Sequence, residues 1–235
     1  MIAISAGSPF QRGIDTLFQS TRVNVSSVLP PSGHMPAVRC WNDFAAYFGR
    51  LRDSGVVETM KDFYWDVRPK PEFGTVEVRV PDTPVTVEQA VDFAAFVQAL
   101  AAHGLANRDS CDLARLYEAY EVNRMASARS GFDAVLIDLT SRRRRGLHEE
   151  LMALMEAIRP HAVGEDSRRR LGSLAARIER RENDASWMRE RGRDLADFGK
   201  LMLEQADRLL ESRREAVNDA RRRRATPRRG RSSPR

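Results

Sequence analysis

The run from Tyr64 to Pro84 constrains the fold more than any other stretch of this chain. It alternates apolar and charged residues twice, with prolines and a glycine in between. Successive side chains of a strand point to opposite faces, so Trp65 and Val67 are expected on one side, Asp66 and Arg68 on the other. After the break, Val76, Val78 and Val80 form a β-branched stripe suited to a core, while Thr75, Glu77 and Arg79 face away from it. Pro69, Pro71 and Gly74 do not fit inside a central strand, which predicts the turn of an antiparallel hairpin between the two segments. Pro81 and Pro84 end the second strand.

A face carrying Asp66, Arg68, Glu77 and Arg79 suits a phosphate and a divalent cation. Hard cations take carboxylate oxygens, and the planar guanidinium fork binds phosphate or carboxylate with two bonds. The same pattern also describes the wet face of an antiparallel sheet, where opposite charges pair across strands. Pattern alone leaves both readings open.

A chain of 235 residues, 42% hydrophobic and 31% charged, is long enough for one sizeable domain with a core. Its formal charge of +6 is concentrated at one end. Eight of the 39 basic residues lie between Arg221 and Arg235 with no acid among them, so the rest is slightly acidic. Cys40 and Cys111 lack metal-binding spacing and read as free thiols with a packing role. His34, His103, His148 and His161 show no paired ligand motif. Met1–Ala6 has neither a basic leader nor a long apolar run, and Val87–Ala106 is interrupted by Glu88, Asp92 and His103. The expectation is a cytoplasmic protein without membrane contact.

Ile2–Ser5 reads as part of a strand, and residues 7–40 as loop with a helical piece near Asp15–Gln19. Trp41, Phe44, Ala45, Phe48 and Leu51 are spaced as a helical stripe that stops near Gly55. Thr86 and Gln89 have the spacing of a capping box opening a helix to Gly104. Another helix is expected over 109–130, with Leu113, Leu116, Tyr117 and Tyr120 on one side and Gly131 as its stop. Phe132–Leu139 is strand or extended chain. Three further helices are predicted near 146–158, 167–182 and 194–222. The last would bury Leu195, Phe198, Leu201, Met202 and Leu209 and pair Glu204 with Arg208 at i, i+4.

The hairpin residues Tyr64–Pro69, Phe73–Arg79 and Asp82–Pro84 closely resemble the bacterial type 2 glutamate-cysteine ligases, also called carboxylate-amine ligases. The likeness extends upstream to Ser8-Pro9-Phe10, Asp15-Thr16, Arg22, Leu29-Pro30 and Ser32-Gly33. Downstream it takes in Asn123-Arg124, Arg129, Gly131-Phe132-Asp133 and Asn183 to Trp187. The resemblance implies an α+β fold: a partial antiparallel sheet of the glutamine-synthetase-like ligase type with several helices packed on it. Residues 1–220 would be the C-terminal part of a single ligase domain, and 221–235 a disordered arginine-rich tail. It implies an ATP-dependent enzyme that activates glutamate as an acyl phosphate and forms an amide with cysteine or another amine.

By this resemblance ATP and Mg2+ are the cofactors, Glu77 is a magnesium ligand, and Arg79 holds the transferred phosphate. Arg22 and Arg68 would meet substrate carboxylates, and Asp66 would orient or contact the amine. Members of that family carry further strands ahead of the point where this chain begins, among them a Glu-rich metal-binding motif and a His-containing strand. The expectation is therefore a chain truncated at its N-terminus, with an incomplete metal site and an unpaired sheet edge open to self-association. An inactive remnant serving as a helical interaction protein is the alternative. Nucleic-acid contact is expected at most weakly, through the tail.

Overall fold

The capping box forms as its spacing predicts: Thr86 Oγ1 accepts from the Gln89 amide at 3.2 Å, and Gln89 Oε1 accepts from the Thr86 amide at 3.1 Å. It opens helix α4, Val87–Ala106. The computed structural model describes residues 1–29, 31–38, 40–107, 113–194 and 198–225, except the side chains of 113–115, 193, 194 and 223–225. Cys111, Leu195, Pro30 and residues 226–235 lie outside the described residues, as does the side chain of Leu113.

The larger core is helical. Phe93, Phe96 and Ala99 of α4 pack with Leu151, Met155 and Ile158 of α6, Leu147–Ile158, and with Leu171, Leu174 and Ile178 of α7, Gly164–Glu179. These positions recur at three- and four-residue spacing, the stripe a helix needs to bury one side. Each fully buried Leu, Ile or Phe contributes about 1.5–3 kcal/mol. Ala3 and Ile4 complete this core from α1, Ile2–Ser5. That segment is a helical turn and not the expected strand: among the described residues no strand pairs with it, and it closes its own bond from Ser5 N to Met1 O, 3.1 Å.

The smaller core is aromatic. Phe44 of α3, Trp41–Asp53, meets Val57, Met60, Phe63 and Trp65, with Phe63 and Trp65 stacked at 4.0 Å. Phe48 and Leu51 pack against it, while Trp41 is exposed. Cys40 is a free, exposed thiol just before α3 and packs no core, contrary to the role expected for it.

Short strand pairs accompany the helices, so the chain is α+β. Phe10–Gln11 (β1) pairs antiparallel with Ile14–Asp15 (β2), and Ser32–Gly33 (β3) pairs parallel with Tyr64–Trp65 (β4). Val67–Lys70 (β5) and Thr75–Val78 (β6) make the predicted antiparallel hairpin, in the register Val67↔Val78, Arg68↔Glu77, Pro69↔Val76 and Lys70↔Thr75. Pro69 lies within β5, and the turn is Pro71–Phe73 with Gly74 left-handed at φ +60. A residue with a Cβ is strained there.

The helix expected over 15–19 lies later, at Thr21–Ser26 (α2), because Ser20 is its N-cap and accepts from Val23 N at 3.5 Å. Asp15 instead accepts from Leu17 N at 2.8 Å, an Asx turn. In α5, Leu113–Ser130, the buried side carries Ala119, Arg124, Ser127 and Ala128, whereas Leu116 is exposed. Of the stripe predicted for this helix Tyr117 and Tyr120 are partly buried and Leu116 is not, and the polar Arg124 shares the buried side because a buried carboxylate bonds both Tyr120 and Arg124. After α5, Val135–Asp138 (β7) pairs with Arg143–Gly146 (β8), and Asn123 pins β7 by exchanging two bonds with Ile137 at 2.9 and 2.7 Å.

An unforeseen helix, α8, covers Asp184–Asp194, before α9, Phe198–Ala225. Leu201 of α9 is buried and Leu209 is exposed. Glu204 pairs with Arg191 of α8 at 2.8 Å and not with Arg208, whose guanidinium lies over the Trp187 ring. Among the described residues no helix is long and apolar enough to cross a membrane.

Candidate active site

The hairpin inverts the expected facing. Val67 is 42% and Val76 64% exposed, whereas Asp66 and Arg68 are 4% and 5%. Asp66 is the cause. Its amide bonds Gly33 O at 2.7 Å, and its carbonyl accepts from both Arg79 N (2.7 Å) and Val80 N (3.1 Å). Two residues just past β6, Arg79 and Val80, oppose this one residue, a β-bulge, and the first strand itself breaks at Asp66, between Tyr64–Trp65 and Val67–Lys70, so the alternation does not run through from Trp65. Val80 is buried, as expected, while Val78 is partly covered.

Three charge networks meet around this bulge. In the first, Arg68 gives Nε and Nη2 to Glu77 Oε2 at 3.0 and 2.8 Å, and its Nη1 to the carbonyls of Met60, Lys61 and Phe63 at 3.0–3.1 Å. Arg79 Nη1 bonds the other Glu77 oxygen at 3.1 Å. Partial burial acts to raise the Glu77 pKa, but bonding and attraction from Arg68 and Arg79 prevail and hold it below the usual glutamate value. The side chains of Glu77 and Arg79 are 38% and 31% exposed, so this end of the network reaches solvent.

In the second, Asp66 takes a bidentate bond from Arg124, with Nε at 2.6 Å and Nη2 at 2.9 Å, and a third bond from the Tyr120 hydroxyl at 2.7 Å. Burial and the neighbouring carboxylate push the Tyr120 pKa up, so it remains a donor. Arg124 Nη1 reaches Ser27 Oγ at 2.5 Å. Next to this pair, His34 Nδ1 contacts Glu121 Oε1 at 3.1 Å, and its ring lies 4.9 Å from Tyr117.

In the third, buried Asp82 accepts from Gly7 N, Ser8 Oγ, Ser20 Oγ and Arg22 Nε at 2.6–2.9 Å. Arg22 Nη2 also bonds Val80 O at 2.5 Å, which ties this network to the strand leaving the hairpin.

The structure thus joins Arg68, Glu77 and Arg79 directly, puts Asp66 one backbone step from Arg79, and brings Arg22 in through Val80. Tyr120, Arg124 and Asp82 were not singled out as site residues by sequence reasoning. A signal existed: Tyr120 and Arg124 are four apart, the spacing that places two side chains together on a helix. Nothing local marked Asp66 as their shared partner.

Arg22 and Arg79 are partly exposed cations, able to present N–H groups to an anion. Asp66, Arg68 and Arg124 are buried and well bonded. Among the described residues no group of three His, Cys, Asp or Glu side chains could hold a metal ion, and both Glu77 oxygens already accept from guanidinium groups. These residues by themselves do not fit a magnesium centre.

The family model for glutamate-cysteine ligase family 2 matches residues 1–220. Among curated proteins named "Putative glutamate--cysteine ligase 2", that of Cupriavidus metallidurans is 42% identical over 193 residues, which is 82% of this chain and 52% of the relative. That of Chromobacterium violaceum is 43% identical over 189 residues, 80% of this chain and 50% of the relative. That of Polaromonas naphthalenivorans is 40% identical over 208 residues, 88% and 55%. The chain spans about half the length of the curated relatives it matches.

Proposed function

The chain belongs to glutamate-cysteine ligase family 2, and from that premise we propose that it serves an ATP-dependent carboxylate–amine ligase of the glutamate–cysteine type. A carboxylate is a poor electrophile. Its oxygen would attack the terminal phosphorus of ATP, releasing ADP and leaving an acyl phosphate. The nitrogen of cysteine, or of another amine, would then attack the acyl carbon, with loss of phosphate and of the amine proton. Phosphoryl transfer of this kind depends chiefly on fixed positive charge around the moving oxygens.

The observation that carries this reading is Arg79, a partly exposed guanidinium that Glu77 holds on a bulged strand. In the proposal Arg79 binds the transferred phosphoryl oxygens and Arg22 a substrate carboxylate. Arg68 and Asp66 have their bonds committed inward, so the proposal makes them positioning residues: Arg68 acts through Glu77, and Asp66 through its carbonyl bond to Arg79 N. A metal role for Glu77 would need an arginine to release it and further donors to join. The short strand pairs would belong to a sheet of the glutamine-synthetase-like type, and ATP and glutamate as substrates fit a cytoplasmic setting.

The test is isotope transfer, run on this chain and on a longer version matching the full length of its relatives. Glutamate labelled with 18O in its side-chain carboxylate should yield 18O-labelled inorganic phosphate only when ATP and an amine are present. Unlabelled phosphate from an active preparation, or an undiminished rate in Arg79→Ala, would sink the proposal.

A further inference from the structure

A second cationic site lies away from the hairpin, in a cleft of about 380 Å³ where the end of α7, the start of α8 and the middle of α9 meet. None of its lining residues belongs to the three networks around the bulge. Arg177, Arg180, Arg181 and Arg208 line it, and the acids that could neutralise them are mostly engaged. Glu182 is clamped by Arg180 through two bonds of 2.7 and 2.9 Å. Asp184 accepts from Gln89 Nε2 at 2.8 Å and Val85 N at 3.2 Å. Arg181 turns to Asp133, outside the cleft.

Arg177 and Arg208 are the exceptions. Each has a buried Nη1 with no hydrogen-bond partner among the described residues. The charges of Asp92 and Glu182 also reach Arg177, but Asp92 bonds Arg170 at 3.3 Å and Glu182 bonds Arg180. Buried guanidinium N–H groups are costly to leave unpaired, so an acceptor bound at this cleft would relieve two of them at once. Arg208 is also held in place: its guanidinium lies 4.3 Å from the centre of the Trp187 ring. Stacking fixes the plane of the fork before any anion arrives. Two guanidinium groups match a dianion with several oxygens better than a monocarboxylate.

We propose that Arg177 and Arg208 form a binding site for a phosphate group, separate from the hairpin and additional to the ligase reading. The phosphate could be free or could be carried by a nucleotide. Glu190, the remaining acid on the cleft, opposes binding by its charge.

The experiment is titration calorimetry and thermal melting of the full chain with inorganic phosphate, pyrophosphate or ADP, at ionic strength matched with sodium chloride. Pyrophosphate should bind saturably and raise the melting temperature. Arg177→Met and Arg208→Met should each weaken binding at least tenfold and together abolish it, whereas Arg79→Ala, in the hairpin, and Arg143→Met, on the exposed strand β8, should leave it in place. Glu190→Gln should tighten it several-fold. In anion-free buffer Arg177→Met should melt at or above the parent, because it removes a guanidinium whose buried Nη1 has no hydrogen-bond partner among the described residues. If Arg208→Met does not fold, Arg208→Lys keeps the charge but loses the fork, and should bind more weakly.

Equal responses to phosphate and ADP would mean the site reads phosphate alone, and a tighter response to ADP would mean the cleft also takes the nucleoside. Either upholds the proposal. It is overturned if the parent shows no saturable response, if the double variant still binds, if Arg143→Met weakens binding equally, or if Arg177→Met lowers the melting temperature without anion.

Discussion

In the helical core, residue chemistry and burial agree except at Asp92, a buried carboxylate paired with Arg170. Phe96, Leu174 and Ile178 are inside, and the charged faces of α6 and α7 are outside. Around the hairpin the relation is reversed, with Asp66, Arg68 and Arg124 buried while Val67 and Val76 stand in solvent. The first region is organised by apolar area, which is non-directional and tolerant of detail. The second is organised by directional bonds to buried charge, which hold only when every partner is present. That difference suits the hairpin to hold charged groups at fixed positions, and it also makes the region brittle.

The comparison can be broken at its most charged point. Arg124→Met leaves the Asp66 carboxylate buried and without its bidentate partner, and should cost about 3–5 kcal/mol in urea unfolding. Adding Asp66→Asn should recover part of the loss. A single-variant cost under about 1 kcal/mol would show that the buried pair does not hold the hairpin. In the helical core Leu174→Ala should cost about 2–5 kcal/mol through lost burial and a cavity, with no partner substitution able to restore it.

Smaller effects sharpen the contrast. Arg79→Ala should change stability by less than about 1 kcal/mol, since its pair with Glu77 is partly solvated. The same change should lower ligase turnover about 100-fold or more, as removal of a group that stabilises transition-state charge does. Acid titration tests Glu77 itself. Its folded pKa is depressed, so its contribution to stability is present above its ordinary value near 4.5 and is lost as pH falls through the lower folded value. Glu77→Gln should therefore flatten the acid limb of a stability–pH curve, modestly because the group is solvated. Val76→Thr, on the exposed face, should stay within about 0.5 kcal/mol of the parent by thermal melting.

Much of the helical region is legible in the order of its residues. The capping box at Thr86 and Gln89, the stripe ending near Gly55 and the helix stop at Gly131 are local signals, each satisfied within a few residues. The hairpin and its turn are legible for the same reason. The facing of the hairpin is not. Strict alternation from Trp65 through Arg68 assumes a continuous strand, and the break at Asp66 goes with bonds to Gly33, Arg79 and Val80 that no local pattern announces. The α5 stripe is half legible: Tyr120 turns inward, but Leu116 is exposed and Arg124 takes a place on the buried side through an aspartate far away in sequence. Glu204 has a local candidate partner in Arg208 and takes Arg191 instead.

By itself, then, the sequence determined the capped start of α4, the stops of α3 and α5, where the hairpin turns, and which family the motif residues Tyr64–Arg79 resemble. Those properties rest on backbone sterics, capping and residue spacing, and act over a handful of positions. Tertiary structure alone decided which face of the hairpin is buried, which arginine meets which carboxylate, and which guanidinium groups have no partner. Buried charge is satisfied by groups brought together from anywhere in the chain, so its pairing is settled only once the chain has folded.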